Sequence, residues 1–84
     1  MSQINCLLFA ELREWLGCDS LAMSFVERES VGTLIERLIE SHGERFLVLR
    51  EEHVKVAINS ALSCSQDTLS ENAEVAFFPP VTGG

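Results

Sequence analysis

The stretch Ser30-Val31-Gly32-Thr33-Leu34-Ile35-Glu36-Arg37-Leu38-Ile39-Glu40-Ser41-His42-Gly43 decides the fold class of this chain. Val31, Leu34, Ile35, Leu38 and Ile39 recur at the spacing that places side chains on one face of a helix. Glu36, Arg37 and Glu40 fall on the other face. Ser30 supplies the side-chain oxygen an N-cap needs, and Gly43 ends the pattern. The spacing predicts an amphipathic helix over about residues 31–42, with one apolar stripe that must be buried against something.

Strand patterns flank it on both sides. Ile4 to Phe9 alternate, so that with Ile4, Cys6 and Leu8 inward, Leu7 and Phe9 lie on the opposite face. Ala10 to Leu16 are good helix formers closed by Gly17 and predict a short helical turn. Leu21 to Val26 alternate Leu21, Met23 and Phe25 as a second strand. Beyond the helix, Glu44 to His53 is a mixed connection. Val54 to Ile58 reads as a strand, Asn59-Ser60 as a tight turn, and Ala61 to Cys64 as a short return strand. Ser65 to Asn72 is polar loop with a turn about Thr68-Leu69. Glu74 to Phe78 is the last strand, with Val75 and Phe77 on one face and Ala76 and Phe78 on the other.

The order is strand, strand, helix, strand, strand, strand. Packing the one main helix across one face of a mixed sheet buries both apolar surfaces, which is α+β architecture. It resembles the β-grasp, or ubiquitin-like, arrangement. A chain of 84 residues is expected to form a single domain over 1–84. At 46% hydrophobic it has enough apolar surface to fold. A core this small leaves little room for a deep pocket, which points to a module working with a partner.

The net charge of −7 opposes binding to nucleic acid or to an anionic membrane. It suits either a basic protein partner or plain solubility. Cys6, Cys18 and Cys64 are odd in number and widely spaced, so a reducing cytosol is expected rather than a disulfide framework. Cys6 and Cys64 are expected to be buried as small hydrophobes and Cys18 exposed. The first residues carry no positive targeting region, and no apolar run approaches membrane-spanning length, so a cytoplasmic protein is expected. His42 lies on the apolar helix face near its end, where capping or packing is the usual role, and His53 lies in a loop. These histidines and the scattered cysteines form no metal-ligand spacing, and no phosphate-binding glycine loop is present. Neither a metal nor a bound cofactor is expected.

The chain closes with Phe77-Phe78-Pro79-Pro80-Val81-Thr82-Gly83-Gly84. Two glycines at a terminus are weak evidence alone, because termini are often frayed. Pro79-Pro80 cannot continue a central strand and favours a stiff extended chain, so residues 79–84 are expected to project as a tail. Gly83-Gly84 lacks side chains, can thread a narrow channel, and delivers only the carboxylate of Gly84. A carboxylate is a poor electrophile and must be activated, for example as an acyl-adenylate. A sulfur nucleophile then displaces AMP and leaves a thiocarboxylate.

The ending Glu74-Val75-Ala76-Phe77-Phe78-Pro79-Pro80-Val81-Thr82-Gly83-Gly84, preceded by Leu69, resembles the C-terminal signature of the molybdopterin synthase small subunits, the MoaD family. Phe9-Ala10-Glu11-Leu12-Arg13-Glu14-Trp15-Leu16-Gly17 is similar to that family's first strand end and turn, and Val56-Ala57-Ile58-Asn59 to a later strand end. The family's usual Asp-Gly-Asp-Glu turn is replaced by Glu71-Asn72-Ala73-Glu74, in which Asn72 can take the left-handed conformation. The resemblance implies that an activating enzyme uses ATP to adenylate Gly84 and that a sulfurtransferase supplies sulfur. The tail then enters the large synthase subunit and donates sulfur to cyclic pyranopterin monophosphate. The chain would be the non-catalytic, sulfur-donating subunit of a heteromer.

Parity places a docking surface. The helix covers one sheet face, leaving Phe9, Leu62 and Phe78 as candidates for the open one, followed by Pro79, Pro80, Val81 and Thr82 as the partner-binding tail. The alternative is that some of these side chains fill edges of the core. Arg13 is a candidate to meet an acidic group on a partner, or is simply solvated. Three other functions remain open at this stage: a carrier for thiazole synthesis or tRNA thiolation, a ubiquitin-like modifier joined to lysines, and an interaction domain with an idle tail.

Overall fold

A computed structural model of the chain describes residues 2–79. Helix α2 (Val31–His42) forms where the apolar stripe requires it. The Ser30 hydroxyl accepts the Thr33 N–H at 3.2 Å, and Gly43, at φ +103°, donates its N–H to the Ile39 carbonyl. Val31, Leu34, Ile35 and Leu38 are buried. Two of the N–H groups a helix start leaves without partners are taken by a distant loop. Val31 donates to the Asp67 carbonyl and Gly32 to the Ser65 carbonyl, each at 2.9 Å. A Cβ on Gly32 would stand 3.3 Å from that Ser65 oxygen, so glycine lets the loop approach this closely.

The sheet comprises β1 (Gln3–Leu8), β2 (Ser20–Ser24), β3 (Lys55–Ile58), β4 (Ala61–Ser63) and β5 (Glu74–Phe78) in the spatial order β2-β1-β5-β3-β4. β1 and β5 run parallel and every other pair is antiparallel. The last strand is therefore the central one. It pairs Leu8 with Phe77 on one side and Lys55 with Phe78 on the other. Ile4, Cys6, Leu8, Val75 and Phe77 point under α2 and are almost wholly buried, as alternation predicts. The expected mixed sheet with one main helix on one face is what forms. Among the described residues no helix is long and apolar enough to cross a membrane.

Helix α1 (Glu11–Leu16) realises the predicted helical turn, burying Leu12 and Leu16, and Gly17 ends it in the left-handed conformation at φ +77°. The mixed connection contains a 3₁₀ helix over Glu44–Arg50 that buries Phe46 and Leu49. The second and third strands are shorter than their patterns, since Phe25 and Val26 fall outside β2 and Val54 outside β3. No turn forms about Thr68-Leu69. Thr68 instead bridges Ser30, Leu69 is buried, and turns fall at Ser65-Gln66 and Glu71-Asn72. Asn72 takes φ +60°, so the substituted turn keeps its left-handed residue.

The cysteines require one correction. Cys6 is buried, but Cys64 is exposed and Cys18 half-buried. Cys64 follows the three-residue edge strand β4, where the chain turns away and its N–H donates to the Asp67 carboxylate at 2.9 Å. No inner face continues there to bury it. His42 is exposed and tilts over Phe46, with ring centroids 5.3 Å apart, rather than entering the core.

Candidate partner-docking face

Among the described residues no helix or loop covers the sheet face opposite α2. Phe9 extends the β1 ladder by one bond, its N–H donating to the Phe77 carbonyl at 3.1 Å. This sets the Phe9 ring beside Phe78, with centroids 4.8 Å apart and planes 10° from parallel. Each ring remains over a third exposed, at 40% and 37%. Stacking shields one side of each ring and leaves the other available.

The chain turns sharply after Phe9. Ala10 sits at φ 51°, ψ −128°, a region that is costly for any residue with a Cβ. That turn starts α1 and directs the backbone away from the open face. Leu62, on β4, is 80% exposed, and its Cα pairs with Ala57, which pairs in turn with Ala76. The two alanines and Leu7 make a low saddle between Leu62 and the stacked rings. An apolar surface with standing aromatic and aliphatic side chains is what a protein partner buries.

The predicted site residues thus divide clearly. Phe9, Leu62 and Phe78 come together on one exposed face, and none of them fills the core. Pro79 follows directly from Phe78 and is half-buried. Pro80, Val81, Thr82, Gly83 and Gly84 lie outside the described residues. Arg13 is an exposed residue of α1, on the sheet's covered side.

Two features escaped sequence reasoning. Glu29 is buried, and its carboxylate accepts from Arg37 Nε and Nη2, both at 2.7 Å. Arg37 also donates to the Ser24 hydroxyl and carbonyl, tying the end of β2 to α2. Hydrogen bonding to Glu29 raises the Arg37 pKa further, so the guanidinium stays charged. The second is an open groove of about 390 Å³ on the covered side of the sheet, lined by Ile35, Leu49, Val56 and Phe77 beside the Glu36–Arg50 ion pair. The groove also borders Lys55, at the edge where β3 separates the covered side from the open one. Burial pushes the Cys6 thiol up to about 12, which leaves it a protonated core side chain rather than a nucleophile.

Residues 6–84 match the ThiS family. A molybdopterin synthase sulfur carrier subunit from Haemophilus influenzae is 36% identical over 83 residues, covering 96% of this chain and 99% of the relative. The protein of that name from Escherichia coli is 33% identical over 81 residues, with coverage of 96% and 99%. Among solved structures, SAMP1 from Haloferax volcanii superposes with a TM-score of 0.81 at 26% identity, covering 98% of this chain and 99% of that one. The five-stranded mixed sheet with α2 across it is the ubiquitin-like β-grasp.

Proposed function

The chain belongs to the ThiS family, and from that premise we propose that it is the sulfur-carrier subunit of a molybdopterin synthase. The observation that carries this reading is the full-length likeness to two bacterial subunits of that name. The stacked pair Phe9–Phe78 supports it, since it stands on an uncovered face immediately before Pro79. A partner docked there is next to the point where the tail begins.

In this reading the Gly84 carboxylate attacks the α-phosphate of ATP in an activating enzyme, releasing pyrophosphate and forming an acyl-adenylate. A sulfur nucleophile provided by a sulfurtransferase adds to the carbonyl and AMP leaves, so that one carboxylate oxygen is replaced by sulfur. The large synthase subunit receives the tail. The thiocarboxylate sulfur bonds to a side-chain carbon of cyclic pyranopterin monophosphate as that carbon's bond to oxygen breaks, leaving a thioester between chain and pterin. Hydrolysis leaves the sulfur on the pterin and returns the tail to a carboxylate, and a second thiocarboxylated chain supplies the dithiolene's second sulfur. Groups that act on the pterin belong to the large subunit, and this chain supplies sulfur and docking. The β-grasp fold sets Phe78, the residue before Pro79, at the end of the central strand, between β1 and β3.

Reconstitution tests the reading. Thiocarboxylated chain, large subunit and cyclic pyranopterin monophosphate together should yield the dithiolene pterin, and a chain lacking Gly83-Gly84 should yield none. No product with a large subunit that is active with its own carrier would refute it. If the chain is a modifier instead, reductant-resistant adducts on target lysines will accumulate in an extract supplied with ATP.

A further inference from the structure

Lys55 is the only lysine in the chain, and it pairs in register with Phe78. Directly paired residues share a sheet face, so Lys55, Phe78 and Phe9 form one row across the open surface at the end where β5 leaves the sheet. Among the described residues the face carries one other charge, the exposed Glu74 at the far end of β5. Four residues of strand separate them, about 13 Å. The face is thus apolar in its middle, positive at the root of the tail and negative at the opposite end.

The remaining cations are placed elsewhere. Arg37 is held by Glu29 and Arg50 by Glu36. Arg13 is on α1, Arg28 in the turn before α2, and Arg45 in the 3₁₀ helix. In a chain of net charge −7, an acidic group approaching this face is attracted at Lys55 and repelled at Glu74. Lys55 has no ion-pair partner among the described residues, so its charge is available to a docked protein.

We propose that Lys55 determines partner specificity by pairing with a carboxylate of the large synthase subunit, beside the apolar pocket that receives Phe78. This rests on the sulfur-carrier reading and adds the partner's chemistry to it: an apolar surface with one acidic side chain at the tail entrance. The Lys55–Glu74 polarity then favours a single docking orientation, because a reversed partner sets its carboxylate against Glu74.

Titration calorimetry of the whole chain against the purified large subunit at two salt concentrations tests this. Lys55→Glu should weaken binding at least tenfold at low salt, with the gap narrowing at high salt, while Lys55→Arg retains most of the affinity. Urea midpoints for both variants, expected within error of wild type, exclude misfolding as the cause. As the sole lysine, Lys55 also gives a clean acetylation footprint, and the complex should protect it. Equal binding by Lys55→Glu, or equal acetylation in the complex, overturns the proposal while leaving the carrier reading intact. Wild-type chain that fails to bind the large subunit at all overturns both.

Discussion

Phe9 and Phe78 stack at 4.8 Å on the face that α2 leaves open, so the last residue of the central strand is braced by the first residue beyond β1. Both rings stay partly exposed, and the proposed docking role makes them the anchor of the partner interface. Phe78→Ala should reduce affinity for the large subunit by about 2 kcal/mol, roughly thirtyfold, as expected for a central aromatic anchor. The same change should cost about 1 kcal/mol or less of folding stability, the scale of a partly exposed aromatic pair. Calorimetric binding and urea denaturation on one protein preparation check the two numbers separately.

The Glu29–Arg37 pair should be structural. Arg37→Leu leaves a buried carboxylate without its donors and frees the end of β2, for a loss of about 2–3 kcal/mol. The partial exposure of Arg37 keeps the effect at the low end for a broken buried pair. Partner affinity of the folded fraction should not change, since the pair is remote from Phe9 and Phe78. Thermal melts with binding measured well below the transition make the comparison.

Ala10 offers the opposite outcome. Its φ of 51° with ψ of −128° suits glycine, so Ala10→Gly should remove more strain than it adds in unfolded-chain entropy. A net gain of about 1 kcal/mol is expected, read from the urea midpoint at unchanged slope. A loss of stability would show that this backbone is not strained.

The three thiols should react in the order of their burial. Cys64 should alkylate first, Cys18 more slowly, and Cys6 only on unfolding. The Cys6 thiol rises from 9.0 to about 12 in the folded chain because burial disfavours the thiolate. Between those values the unfolded chain has lost a proton that the folded chain keeps, so this group's contribution to stability is full below pH 9.0 and declines as pH rises towards about 12. Cys6→Ala should lack that component of the alkaline loss, as denaturation midpoints across the pH range will show.

Much of this architecture is legible in the residues, for identifiable reasons. Helix α2 has a full apolar stripe and a side-chain cap, so period and boundary agree. Alternation through β1 and β5 suffices to put Phe9 and Phe78 on the outer face. The 3₁₀ helix over Glu44–Arg50 is not legible, because its buried residues Phe46 and Leu49 make a single i, i+3 pair, too little to establish a period. The exposure of Cys64 depends on β4 stopping at Ser63, and that stop comes from a loop drawn across to the start of α2. Lys55 gains its meaning only from its register with Phe78, a pairing between segments remote in sequence.

Intact mass spectrometry of the chain after incubation with the activating enzyme, ATP and a sulfur source tests the central claim most directly. A sulfur carrier should show one oxygen exchanged for sulfur at Gly84, with the shift abolished by deleting Gly83-Gly84. An unchanged mass, under conditions in which an established carrier is fully converted, would contradict the account.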